Sequence, residues 1–402
     1  MSTDTPRVFL FMPYIPFPVD RGTYQRVFHL FVELSKSFEI DLACLQEDAS
    51  RTMEPFEPYT ARRLAIPFQN APWQRLFPDR LLNPLPTTVQ HWQVDGVADA
   101  LRQFVQGQDY DRVIFIDLVL WPYIREIFPD HPCRIMDRSR VDWLFQTEEL
   151  NTLKLSLKER FLRKENLSKI ARLEREAYAA LSGMVVCGWD DRTFLKEHLG
   201  EAEKVFVLAN GYNAEFFDAE AYPRTLTDAP SILFCGALDY SPNVDAIDWF
   251  ADTIWPRIHK EMPKAVWRIV GKSPDARSKR WASMAGVKLV GEVPDVRPYY
   301  QSSWLQVVPL RIGGGTRLKI VESLGMRCPV VSTTLGAQGL DLKNERDILL
   351  ADDEPGTADA VLRLLRDTQL RESIEVAGLK TVRENYLWEQ LGAKLNDYLM
   401  QL

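Results

Sequence analysis

The chain has 402 residues, more than one ordinary hydrophobic core accommodates, so two domains are expected. Apolar residues make up 46% and charged residues 26%, an ordinary globular composition, and a net charge of -7 argues against nucleic acid as the main partner. Cys44, Cys133, Cys187, Cys235 and Cys328 form no CxxC pair and read as reduced thiols, not a disulfide frame or zinc site.

In chain order, short apolar runs alternate with amphipathic stretches. Strands are expected at 7–14, 39–45, 63–67, 112–117, 134–137, 184–188 and 205–209. A second series is expected at 231–236, 266–271, 287–293, 305–310, 329–333 and 347–350. Runs this apolar suit strands buried on both faces, and the helical stretches between them suit βαβ crossovers. Each half therefore reads as an open, mostly parallel α/β sheet. The break is placed at 218–230 (DAEAYPRTLTDAP), which is polar, holds two prolines and lacks an apolar period. The domains are thus expected at 1–217 and 231–385, followed by a last helix at 386–402.

Two stretches depart from the alternation. Residues 68–92 combine Trp73, Phe77, Leu81, Leu82, Leu85 and Trp92 with four prolines. Residues 151–181 predict one long helix rich in Lys and Arg, with Leu153, Leu157, Phe161, Ile170 and Leu173 roughly on one face. One reading of both is peripheral docking on an anionic membrane. The other is a solvated helix face and an irregular packing segment. No apolar run reaches the roughly 20 residues of a membrane span, and no secretory signal pattern opens the chain, so a cytoplasmic protein is expected.

The segment PLRIGGGTRLKIVESLGMRCP (309–329) carries the most chemistry. A strand ends near Leu310, then come Gly313, Gly314 and Gly315. Thr316 is expected to cap a helix that runs to about Leu324 and closes at Gly325. Glycines at such a turn let backbone N–H groups approach a ligand, and the helix dipole favours an anion. Arg317 and Lys319 oppose that dipole unless an anion such as a diphosphate lies there. Glu322 shares a helix face with Lys319 and suits ribose hydroxyls. The plainer alternative, an exposed helix start with a Lys319–Glu322 ion pair, stays open. Neither a Walker A spacing nor GxGxxG after the first strand of either half is present, which disfavours a dinucleotide oxidoreductase.

In the first half, the Pro-rich loop after the first strand ends at Gly22, at the edge where open sheets bind ligands. Gly22 either turns an N–H to a substrate or only serves a positive φ. Asp117 and Asp137 fall at strand ends on that edge, to orient an acceptor hydroxyl or to cap helices. The five histidines show no metal spacing, and no metal site is indicated.

The runs LFCGALDYSPNVDAIDWF, WRIVGKSPD, VKLVGEVPDVRPYY and VVPLRIGGGTRLKIVESLGMRCPVVSTTLGAQGL together resemble the family-4 retaining glycosyltransferases, in their bacterial polysaccharide and glycoconjugate branch. PYIPFPVDRGTYQRVFHLFVELSK, ANGYN and ENYLWEQLGAKLNDYL extend the resemblance over nearly the whole chain. The resemblance implies a GT-B fold: two Rossmann-like domains facing a central cleft, with the C-terminal helix crossing back to the first. It implies a cytoplasmic or membrane-peripheral enzyme moving a sugar from a UDP- or GDP-sugar to an acceptor hydroxyl with retention. No metal or separate cofactor is implied. Glu322 would hold the ribose, and the backbone at Glu292 and Val293 would meet the base. Gly271, Lys272, Gly315 and Thr316 would lie near the phosphates, with Gly22 approaching from the first domain.

Two departures stand out. Gly314 occupies the place of the first glutamate of the family's pair. Gly236, Ala237 and Leu238 stand where many relatives carry Arg and Lys, so Arg317 and Lys319 become the expected diphosphate ligands. Asp117 is the nearest substitute for a missing histidine. A scaffold protein that lost transfer, and a GT-B sugar-nucleotide epimerase, are the alternatives.

Overall fold

A computed structural model describes residues 5–19, 22–70, 82–152, 155–272, 277–313 and 316–402. The chain forms two compact units, Met1–Leu208 with Leu391–Leu402, and Ala209–Gln390.

The first unit holds seven strands: β1 Arg7–Met12, β2 Glu39–Gln46, β3 Arg62–Pro67, β4 Arg112–Ile116, β5 Arg134–Asp137, β6 Gly183–Val186 and β7 Val205–Val207. They run parallel in the order β3-β2-β1-β4-β5-β6-β7. Side chains alternate across the sheet. Phe9 and Phe11 join Val113, Phe115 and Trp121 in one core layer. Leu10 and Met12 face the other way, toward Val27, Phe31, Leu395 and Leu399. That second layer is made by the helices Gly22–Leu34 and Trp388–Met400. Gly392 lets them pack closely, because a Cβ there would fall inside the Glu33 side chain.

The second unit holds β8 Ser231–Cys235, β9 Val266–Val270, β10 Val287–Gly291, β11 Leu305–Val308, β12 Val330–Ser332 and β13 Leu349–Leu350. Their order is β10-β9-β8-β11-β12-β13, again parallel. Every expected strand is present, most of them shorter at the carboxyl end.

Two expectations need correction. Residues 218–230 are not a linker but part of the second unit. Arg224 donates to Tyr300 O at 2.6 Å and pairs with Glu375, Thr225 N donates to Gln301 O, and Trp304 Nε1 donates to Thr227 O. The division falls at Leu208, earlier than 217, and the second unit continues to Gln390. Tyr386 explains that extension, since its carbonyl accepts from Tyr212 N and its hydroxyl accepts from Asp341 N.

The long helix expected at 151–181 is two helices, Asp142–Thr152 and Leu157–Ala180. Ser156 caps the second, and Glu159 reaches back to the Ser156 N–H at 2.9 Å, a reciprocal cap that starts a helix afresh. Leu153 and Lys154 lie outside the described residues. In the 68–92 stretch, Phe68 stacks on Trp92, Leu85 packs against the core and Leu82 is exposed; Trp73, Phe77 and Leu81 lie outside the described residues.

Candidate functional site

In an open parallel sheet, ligands bind beyond the carboxyl ends of the strands where the strand order reverses direction. In the second unit that point lies between β8 and β11. β8 leads directly into Gly236, and β11 leads through Pro309 to Gly313.

The side chains that meet there come from three places. Lys319, half-buried on the helix Leu318–Gly325, sends its Nζ 2.8 Å to Asn243 Oδ1 and over the Phe234 ring. Asn243 lies in the helix Ser241–Trp249, and its own amide donates to Ala237 O at 2.8 Å. Gly236 completes the group. A Cβ there would stand 2.7 Å from Lys319 Nζ and 2.8 Å from Asn243 Nδ2, so only glycine leaves room for the ammonium. Arg317 reaches back to donate to Gly313 O. Burial brings the Lys319 pKa down to about 8, and the neighbouring Arg317 charge adds to the fall. Lys319, poorly hydrated and under the Arg317 charge, is a cation that an anion stabilises.

Glu322 is 8% exposed, and the Tyr300 hydroxyl points at its Oε2 from 3.4 Å. Its charge also acts on Lys319 and on Cys235, whose thiol burial pushes up to about 11. Glu322 is thus more deeply buried than Arg317 and Lys319, which are half-buried.

Thr316 is not the helix cap. Arg317 holds the extended cap conformation at φ -92° and ψ 99°, and the helix starts at Leu318. Thr316 is buried and instead fastens the segment after Leu208: its hydroxyl accepts from Asn210 N at 3.1 Å and its carbonyl from Asn210 Nδ2 at 3.0 Å. Gly325 is the last helical residue, with Met326 following as the cap. Gly314 and Gly315 lie outside the described residues. Gly271 is at the site's floor, but its N–H donates to Gly291 O at 2.8 Å, and a Cβ there would overlap Gly236 O. Its role is close packing of β9 on the β8 loop. Lys272 accepts from Leu238 N through its carbonyl. Glu292 and Val293 lie just past β10, two strands or about 10 Å from the β8 end.

In the first unit the strand order reverses between β1 and β4, and Asp117 stands at the end of β4. Its backbone adopts φ 64° and ψ 155°, a region that essentially only glycine visits freely. The Ser139 hydroxyl donates to it at 3.2 Å, and Arg138 Nε lies 3.8 Å away. Burial pushes its carboxyl up to about 6 against the pull of Arg138, with Asp142 and Asp137 adding to the rise. Asp137 caps no helix; it pairs with the fully buried Arg26 at 2.8 Å, and Arg26 also donates to Leu208 O. Gly22 opens the helix that carries Arg26. Arg138 is itself buried, chelated by both oxygens of Glu174 at 2.5 and 2.7 Å.

Sequence reasoning missed Asn243 and the spatial role of Gly236. The Asn243–Lys319 bond spans 76 residues, so no local spacing announces it. Among the described residues, no group of three or more His, Cys, Asp or Glu is placed to hold a metal ion, and no helix is long and apolar enough to cross a membrane.

Residues 229–367, within the second unit, match the family described as "Glycosyl transferases group 1". An uncharacterized 44.6 kDa protein in the cps region of Klebsiella pneumoniae is 21% identical over 164 residues, 39% of this chain. That match spans 42% of the Klebsiella protein's length. Among solved structures, sucrose-phosphate synthase from Thermosynechococcus elongatus superposes with a TM-score of 0.74 at 16% identity, covering 98% of each chain. HepE from Anabaena, in complex with UDP and glucose, gives 0.65 at 13% identity, covering 98% of this chain and 99% of that one. TarM gives 0.70 at 10% identity, covering 99% of this chain and 100% of that one. The fold is GT-B.

Proposed function

We propose that the protein moves a sugar from a nucleotide-sugar donor, of UDP or GDP type, to an acceptor hydroxyl with retention of anomeric configuration and without a metal ion. The carrying observation is the Lys319, Asn243 and Gly236 cluster beside Arg317, at the strand-order reversal of the unit that matches glycosyl transferases. HepE, similar in fold, was solved with UDP, which supports the donor class. The relative in a cps region supports a role in polysaccharide or glycoconjugate synthesis.

In this reading the diphosphate lies against Lys319 and Arg317. Glu322 accepts from the ribose hydroxyls, and the base reaches toward Glu292 and Val293. The bond from the anomeric carbon to the β-phosphate oxygen breaks, and a bond to the acceptor oxygen forms on the same face. The acceptor proton passes to the departing phosphate oxygen. Fixed cations stabilise the charge that grows there, at about 3 kcal/mol for each well-placed donor. Thermal-shift screening against UDP-, GDP-, dTDP- and ADP-sugars should show one base class raising the melting temperature. Transfer should persist in EDTA and give product of unchanged anomeric configuration. No shift with any donor sinks the donor assignment; an inverted product sinks retention.

The acceptor reading extends to a membrane surface. Leu157 is 89% and Phe161 57% exposed, one turn apart on one helix face. Lys158, Arg160 and Lys164 surround them, all exposed. Apolar tips ringed by exposed cations suit an anionic lipid surface. Co-sedimentation with phosphatidylcholine vesicles should rise when phosphatidylglycerol is added; indifference to it removes this extension.

A further inference from the structure

The side chain that holds Lys319 is neutral. Asn243 Oδ1 accepts from Lys319 Nζ at 2.8 Å, and Asn243 Nδ2 donates to Ala237 O at 2.8 Å. These partners fix which way the amide points, because an ammonium can only donate and a carbonyl can only accept. Asn243 is 5% exposed, and its backbone N–H donates to Tyr240 O at 2.9 Å. One buried residue therefore ties Lys319 to the loop 236–240.

Charge explains why an amide suits this place. The groups acting on Lys319 are Cys235 at the end of β8, Arg317 just before the lysine's own helix, and Glu322 on that helix. The carboxylates of the helix Ser241–Trp249 are engaged elsewhere, Asp245 with Arg311 and Asp248 with Arg277 and Arg280. An amide oxygen holds the ammonium without cancelling its charge. An aspartate at 243 would cancel it, and would turn an oxygen toward Ala237 O. A leucine of similar size would take that acceptor from a buried ammonium and that donor from a carbonyl.

We infer that Asn243 is a positioning residue of the proposed donor site, fixing Lys319 against the loop 236–240 so that its charge stays available to a diphosphate. It acts through Lys319 and the loop, not on the reacting atoms. The inference rests on the reading that this site takes a nucleotide-sugar donor.

The test uses the full chain labelled with carbon-13 and nitrogen-15 in lysine. The Lys319 side-chain signal is identified by its loss in Lys319→Gln and titrated without nucleotide. In wild-type protein it should titrate at about 8. Asn243→Asp should move that value up, since a carboxylate favours the ammonium, and Asn243→Leu should move it down, since the buried ammonium loses its acceptor. A residue that only fills space would not give shifts of opposite sign. On the same samples, UDP and uridine binding are read by ligand-observed NMR. Both variants should weaken UDP about tenfold and leave uridine unchanged, because only the diphosphate meets Lys319. Shifts of one sign, no shift, or equal loss of UDP and uridine overturns the inference. Failure of wild-type protein to bind UDP counts against the donor reading, while the nucleotide-free titration still decides whether Asn243 sets Lys319.

Discussion

Lys319 couples the proposed donor site to pH. Its ammonium is lowered to about 8 by burial and by Arg317, so the free protein loses that charge as pH rises through about 8. Only the protonated form attracts a diphosphate. The ratio kcat/KM for donor should therefore fall with an apparent pKa near 8, and Lys319→Gln should flatten the profile and abolish UDP-induced thermal stabilisation without loss of fold. A profile unchanged in the variant removes Lys319 from donor binding. Asp117 carries the opposite balance. Its folded pKa of about 6 exceeds the ordinary carboxyl value, so the native state binds the proton more tightly than the unfolded chain. Stability contributed by that proton is present below about pH 4 and lost as pH rises through about 6. Asp117→Asn should thus stabilise the protein at about pH 7 by up to about 3 kcal/mol, seen as a higher urea midpoint, and should lower transfer. Equal stability at that pH contradicts the raised pKa. A strained, proton-hungry carboxylate kept at a sheet's ligand edge is the pattern of a residue retained for function.

At the scale of elements, the parallel sheets are legible in the sequence because strands buried on both faces write continuous apolar runs. Their carboxyl ends are less legible where the apolar run continues into the turn, as at Pro309 and Leu310. The pause at Ser156 is also written in the chain, as Ser-x-x-Glu, but the unbroken basic composition of 151–181 masks it. Composition conceals the binding of 218–230 to the second unit, because Arg224 and Thr227 are held through backbone carbonyls in contacts that span 76 and 77 residues. Likewise Thr316 has the residue type of a cap but uses both its oxygens on Asn210. Close packing of helices is a further element-scale property. Gly392→Val would drive a side chain into Glu33 and force the helix Trp388–Met400 off Gly22–Leu34. Overpacking of this kind costs about 1–3 kcal/mol, measurable as a lower urea midpoint by tryptophan fluorescence. No change in midpoint would mean the two helices separate freely.

For the whole molecule, the first unit is discontinuous in sequence and the second is one unbroken stretch. The helix Trp388–Met400 is anchored in the first unit by Arg112 Nε to Leu399 O at 2.8 Å, by Asn396 to Glu33 O, and by Tyr398 stacked on Phe206. Deleting residues 391–402 should uncover Leu10, Val27 and Phe31, so the truncated protein should bind the dye ANS and lose the thermal transition of the first unit. Retention of both transitions contradicts this anchoring role.

The same discontinuity sets an order of assembly during translation. The second unit closes on one contiguous stretch of chain, while the first lacks a wall until the helix Trp388–Met400 has been made. The unit that is started first is therefore finished last. A stop codon or frameshift within the helix Trp388–Met400 leaves an apolar sheet face open beside a second unit already folded, a species that chaperones and proteases should recognise.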